Sequence, residues 1–169
     1  MKIKHLRIHG DNIVECERTV MLLSQAFNAE SRLVAEASLY MPVYEITVNE
    51  NETLRIDLLS GHGRWGVDIT AVLTNNGGVL REAADAYITE IVDGKEQILL
   101  ALEFCSALPA GNNAWQRNGR AYSSVLAGVP YLYFAEIGGV ELDENRNVKA
   151  PRFPKNTKSP FRTLQRHSR

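Results

Sequence analysis

A glutamate interrupts the most apolar stretch of this chain. Residues 98–105 read ILLALEFC, so that Glu103 follows five apolar residues and precedes Phe104. An apolar run of this length predicts a strand buried on both faces of a sheet. A carboxylate inside such a strand costs several kcal/mol unless it is paired or bound to a metal. Glu103 therefore predicts a cation, either a metal ion or a basic side chain, inside the fold.

The rest of the chain alternates between extended and helical patterns. A helix is predicted from Ile13 to about Asn28, where apolar residues recur on one face, and a second from about Asn113 to Ala127. Residues 30–41 fit a short helical piece or a loop. Strands are predicted over residues 2–9, 43–48, 54–59, 67–73, 85–92, 97–104 and 131–137. This order predicts an α/β (α+β) fold, with a central mixed β-sheet flanked by helices.

Length and composition place the chain among single-domain globular proteins. The 169 residues are 44% hydrophobic and 23% charged, which suits one domain over residues 1–145. No apolar run reaches about 18 residues, so no membrane span is expected. The N-terminus lacks the apolar segment of a secretory signal, and Cys16 and Cys105 lack metal-ligand spacing. These features predict a cytoplasmic protein with reduced thiols.

The end of the chain differs in charge from its body. Residues 146–169 hold eight of the 19 Lys and Arg residues and none of the 20 Asp and Glu residues. Such a basic tail is typical of a nucleic-acid partner, although it also fits a solvated tail that aids solubility. We predict an extended tail whose candidate DNA contacts are Lys149, Arg152, Lys155 and Lys158.

Three carboxylates are candidates for a metal site. Asp85 opens one predicted strand and Glu103 lies late in its hairpin partner, so antiparallel pairing can bring both to one face. Oxygen ligands of this kind suit Mg²⁺. On the first helix, helical spacing places Glu17 within the apolar stripe and Glu15 opposite it. The alternatives are that Asp85 caps a turn, that Glu103 only ends a strand, and that Glu17 pairs with a core arginine.

These residues and their order resemble the PD-(D/E)xK nuclease superfamily, the restriction-endonuclease-like fold. Ala84-Asp85 matches the family's PD, and Glu103-Phe104-Cys105 matches its (D/E)-x-K. The resemblance covers roughly residues 10–140 and includes the helix and strand that follow the motif. It implies that Asp85 and Glu103 bind the metal, and that Glu17 matches the glutamate that many members carry on the first core helix.

Cys105 is the main departure from that pattern, because it stands where the family has a catalytic lysine. A neutral thiol cannot supply the positive charge, so another group or a second metal replaces it, or activity is lost. Gln116, Arg117 and Arg120 on the following helix are the candidates, and Arg117 and Arg120 are also candidate DNA contacts, although all three also fit ordinary solvent-facing polarity. Arg64, in the Gly-rich loop 61–66, is a candidate DNA contact, although such loops are more often only turns.

The sequence thus predicts a Mg²⁺-dependent endonuclease that hydrolyses double-stranded DNA, of the type II restriction class and acting as a homodimer. One alternative is a catalytically silent DNA-binding or assembly module on the same fold. Another is an unrelated enzyme in which Glu103 is part of a structural ion pair. A full ligand set around one cation favours the nuclease, whereas a Lys or Arg salt-bridged to Glu103 favours the structural ion pair.

The role of the basic tail can be tested by neutralising Lys149, Arg152, Lys155 and Lys158 together. If the tail contacts phosphates, binding weakens alike for all DNA sequences, and the log–log salt dependence flattens by about 0.9 per lost contact. The measurement is a filter-binding titration over a range of salt concentrations. An unchanged slope identifies the tail as a solvated bystander.

Overall fold

The computed structural model of the protein describes residues 2–105 and 112–135. Lys149, Arg152, Lys155, Lys158 and the predicted boundary at residue 145 lie outside these ranges. In chain order, the elements are β1 (Lys2–Gly10), α1 (Ile13–Phe27), β2 (Ser31–Glu36), β3 (Pro42–Asn49), β4 (Glu52–Ser60), α2 (Ile69–Asn75), β5 (Ala86–Val92), β6 (Lys95–Cys105), α3 (Asn112–Leu126) and β7 (Tyr131–Ala135). A short 3-10 turn at His62–Arg64 separates β4 from α2.

Within the described ranges, seven strands form one mixed sheet in the order β2-β3-β4-β1-β5-β6-β7. Strand β1 is parallel to β4 and antiparallel to β5. Strands β5 and β6 form an antiparallel hairpin, and α3 connects β6 to its parallel neighbour β7. The prediction of a mixed sheet flanked by helices is confirmed. None of the described helices has the length and apolar character needed to cross a membrane.

Two apolar clusters cover the two faces of the sheet. Helix α1 contributes Cys16 and Val20 to one cluster, in which Leu102 of β6 is buried. Helix α2 contributes Ile69 and Leu73 to the other, which holds Ala101 of β6. Because side chains alternate along a strand, Glu103 lies on the same face as Ala101, away from α1. The buried carboxylate is therefore directed toward the side of the sheet where α2 and α3 lie.

Two segments differ from the sequence-based predictions. The strand predicted at residues 67–73 is instead α2, because the Asp68 carboxylate caps a helix by accepting a hydrogen bond from the Ala71 N–H at 3.0 Å. Ile69 and Leu73, four residues apart, are then both buried. Within residues 30–41, which we expected to be helical or a loop, Ser31–Glu36 forms β2 and pairs with β3. Here sheet pairing overrides a sequence pattern with no clear period.

Gly10 is required where β1 meets α1. A Cβ atom at Gly10 would lie 2.5 Å from Sγ of the buried Cys16, whereas one at Gly63 would meet no atom within 4 Å. We expect Gly10→Ala to lower the free energy of unfolding by about 1–3 kcal/mol, which is typical of overpacking. The control Gly63→Ala should leave it nearly unchanged. Urea denaturation of both variants checks this, and equal midpoints would contradict the close approach.

Candidate functional site

Three carboxylates meet where β1 ends and β5 begins. Asp11 follows β1, Glu15 lies in the first turn of α1, and Asp85 directly precedes β5; one oxygen from each lies within 4.8 Å of the others. The Asp11 N–H donates to the Asp85 carbonyl at 2.9 Å. The Asn12 side chain caps α1 by accepting from the Glu15 N–H at 3.1 Å. Sheet pairing thus brings Asp85 to Asp11, which is distant in sequence, and the helix cap places Glu15 beside them.

Repulsion and burial raise the proton affinity of this cluster. Burial raises the pKa of Glu15 to about 7, and the Asp85 and Asp11 carboxylates add to that shift. The pKa of Asp11 is also raised, first by burial and then by Asp85, while His62 opposes the shift. The Glu15 Oε2 atom is buried and has no hydrogen-bond partner among the described residues. A divalent cation would relieve both the repulsion and the unsatisfied oxygen.

Glu103 occupies a cage of hydrogen-bond donors beside this cluster. Its side chain is 1% exposed, and its Oε1 accepts from Arg117 Nε and Arg120 Nη1, each at 3.0 Å. Its Oε2 accepts from the Tyr131 hydroxyl at 2.9 Å and from Arg120 Nη1 at 3.3 Å. Basic side chains therefore supply the cation that the sequence predicted at Glu103. A salt bridge from Lys or Arg to Glu103 is the feature expected if Glu103 is part of a structural ion pair, so this pairing favours that alternative.

Asp85 links the acidic cluster to the Glu103 cage. Its Oδ2 accepts from the Phe104 N–H at 2.7 Å, so its carboxylate lies against β6 next to Glu103. Burial and the Asp85 charge raise the pKa of Glu103, while Arg120 opposes the shift. The hairpin thus places the two motif carboxylates close enough to influence each other, but Glu103 is held by arginines and lies outside the group of three.

The assignment of Glu17 as a metal ligand does not fit the structure. Glu17 is exposed, and its Oε1 accepts from the Tyr44 hydroxyl at 3.1 Å. Helix α1 buries Cys16, Thr19 and Val20 against the sheet, which directs Glu17 outward. Glu15, which we placed opposite the apolar stripe, is the helix carboxylate that faces Asp85. Val14 and Met21, two apolar residues of this helix, are both more than half exposed, so the buried face of α1 is rotated relative to the apolar face that helical spacing predicts.

The remaining candidates have separate roles. Cys105 is buried, with 1% of its surface exposed, and lies on the same face of β6 as Glu103. The pKa of Tyr133 is raised by burial and, in addition, by a hydrogen bond with Cys105. Gln116 is exposed on α3. Arg64 donates from Nη1 to the Ser60 carbonyl at 3.0 Å, and its guanidinium carbon lies 4.3 Å from the Tyr40 ring centroid, so it is held by the end of β4 and by Tyr40. Arg117 and Arg120, the proposed DNA contacts, are both committed to Glu103.

Besides Glu15, sequence reasoning missed Asp11 and His62. Asp11 lies between β1 and α1, in a Gly-Asp-Asn segment whose composition is typical of a helix cap; Asn12 is the cap, which leaves the Asp11 carboxylate for the cluster. His62 Nε2 lies 3.1 Å from Asp11 Oδ1, and the His62 ring stacks on Trp65 at 4.3 Å between centroids. The signal for His62 was its place in the Gly-rich loop, but no sequence spacing connects that loop to Asp11.

Comparison with known proteins does not assign the chain to a family: no family model, curated protein or solved structure matches it. The arrangement of these residues is therefore the basis for inferring a function.

The raised pKa of Glu15 predicts a pH-dependent penalty on stability. The folded protein binds this proton more tightly than the unfolded chain, so stability falls as pH rises from about 4.5 to about 7. We expect Glu15→Gln to be about 1–2 kcal/mol more stable than the wild type at pH 8, and no different below pH 4. Urea denaturation in EDTA measures this, with Glu17→Gln as the exposed control. A gain that is the same at both pH values would contradict the assignment.

Proposed function

We propose that the protein is a Mg²⁺-dependent DNA endonuclease whose metal ligands are Asp11, Glu15 and Asp85. The convergence of these three carboxylates, contributed by three separate segments, carries the proposal. Carboxylate oxygens are the ligands that Mg²⁺ prefers, and the unsatisfied Glu15 oxygen fits such a role. Bound there, the metal would lower the pKa of a water molecule and stabilise negative charge on the attacked phosphate.

The order of elements around the cluster supports a nuclease. Asp85 precedes the β5–β6 hairpin, Glu103 lies near the end of β6, and α3 and β7 follow. This is the order that the resemblance to the PD-(D/E)xK superfamily implies. Glu15 takes the place on the first helix that we expected of Glu17. The proposed site thus keeps Asp85, exchanges Glu17 for Glu15, and has Asp11 as a ligand in place of Glu103, which the two arginines hold.

Arg117 and Arg120 offer the positive charge that Cys105 cannot. Both guanidinium groups lie next to β6, and their side chains keep about a fifth to a quarter of their surface exposed. They point to the region where the family's lysine would act. Within the proposal, the substrate is double-stranded DNA in the cytoplasm, and a homodimer of the type II restriction class provides one site for each strand.

The second candidate is a non-cleaving DNA-binding or assembly module. The observation that favours it is the buried, neutral Cys105 at the position of the family's catalytic lysine. In that case the acidic cluster has no catalytic role, and the Glu103 pair only stabilises the junction of β6, α3 and β7.

Cleavage of plasmid DNA separates the two candidates. We expect the wild type to nick supercoiled plasmid of broad sequence content with Mg²⁺ or Mn²⁺, and Glu15→Gln and Asp85→Asn to lose at least 100-fold in rate because each removes a charged ligand. Cys105→Ala should retain much of the activity, since the thiol carries no charge.

Glu17→Gln is the matched control for Glu15→Gln, because it changes an exposed glutamate on the same helix and should leave the rate unchanged. A wild-type protein that never nicks, even with Mn²⁺, would contradict the nuclease and favour the silent module.

A further inference from the structure

We propose that Arg117, Arg120 and the Tyr131 hydroxyl form a phosphate-binding site that the protein's own Glu103 carboxylate occupies until a phosphate displaces it. This inference extends the proposed function, because only that function implies that the phosphate belongs to DNA. The anion site itself stands on the contacts around Glu103.

The donors around Glu103 have the character of an anion site. Arg117 Nε, Arg120 Nη1 and the Tyr131 hydroxyl all converge on one carboxylate, at 2.9 to 3.3 Å. Guanidinium groups bind carboxylate and phosphate oxygens with the same planar donor geometry. A group of donors that holds a carboxylate therefore also suits a phosphate.

Two donors at this site are left over. Arg117 Nη1 and Arg120 Nε are buried and have no hydrogen-bond partner among the described residues. A buried guanidinium nitrogen without an acceptor is unfavourable, because its lost hydration is not replaced. The carboxylate of Glu103 offers two oxygens and a phosphate offers more, so phosphate can satisfy a donor that the present occupant leaves unpaired.

The cage can be reached from solvent through its arginines. The Arg117 and Arg120 side chains are 20% and 24% exposed, while Glu103 is 1% exposed. An incoming anion thus meets the guanidinium groups before it meets the carboxylate.

Displacement would couple substrate binding to the metal site. Asp85 already contacts the Phe104 N–H, next to Glu103, so a released Glu103 carboxylate lies beside a candidate metal ligand. The two arginines would then neutralise the phosphate, while the Glu103 carboxylate would join the acidic cluster that contains Asp85. The ion pair of Glu103 with Arg117 and Arg120 would thereby keep the site inactive until DNA binds.

The test is phosphate binding by the full-length protein in EDTA, where nuclease activity plays no part. In Glu103→Gln, the arginines lose their competing carboxylate, so we expect inorganic phosphate to bind at least tenfold more tightly than to the wild type, measured by the rise in Tm with phosphate concentration. The matched control is Glu17→Gln: Glu17 is exposed on α1 and contacts Tyr44 rather than the cage, and this variant should bind as the wild type does. Equal phosphate affinity in Glu103→Gln and the wild type would overturn the proposal.

If Glu103→Gln fails to fold, the phosphate site can be tested in the wild-type protein. The Nε–H NMR resonances of Arg117 and Arg120 should then shift with tens of millimolar phosphate, and not with sodium chloride at equal ionic strength. Unmoved resonances would overturn the site.

A short DNA duplex, again in EDTA, identifies the source of the phosphate. If DNA is the source, the duplex binds more tightly to Glu103→Gln than to the wild type. A gain for inorganic phosphate alone supports the site and overturns DNA as its ligand. If the wild type cleaves DNA but Glu103→Gln does not bind phosphate more tightly, the nuclease stands and the phosphate site is overturned. If Glu103→Gln binds phosphate more tightly but the wild type does not cleave DNA, the phosphate site stands and the nuclease is overturned.

Discussion

The buried charge of Glu103 is the constraint on which this part of the structure depends. A carboxylate that is 1% exposed, on an interior strand, must be compensated, and three donors from α3 and β7 do so. Removing one member of such a group leaves an uncompensated charge, which typically costs about 3–5 kcal/mol. The cage thereby determines how α3 and β7 lie against β6, in addition to any part it has in binding.

The acidic cluster depends on the same region through Asp85. The Asp85 backbone carbonyl holds Asp11, and its carboxylate holds the Phe104 N–H of β6. Its charge raises the pKa of Glu15 on one side and of Glu103 on the other. A cation bound by the cluster and an anion bound by the arginines would therefore each change the electrostatic environment of the other. Metal binding and phosphate binding are therefore expected to be coupled through Asp85.

The sequence predicted the parts of this fold in which a single pattern dominates. The β5–β6 hairpin follows from its apolar runs and the Asp93-Gly94 turn, where both residues have positive φ. Helix α2 was missed because Val67, Ile69 and Val72 favour a strand locally, while the Asp68 cap and burial on one face favour a helix. Glu15 and Glu17 were exchanged because helical spacing gives an apolar face only approximately, and the rotation of α1 is fixed by contacts with β1 and β4.

The measurement that tests the central claim most directly is Mn²⁺ binding by isothermal titration calorimetry, with Mn²⁺ standing in for Mg²⁺. We predict one saturable site in the wild type, retained in Glu17→Gln and lost in both Glu15→Gln and Asp85→Asn. Retention of the same affinity in Glu15→Gln and Asp85→Asn, or the absence of any saturable site in the wild type, would contradict a metal centre at Asp11, Glu15 and Asp85.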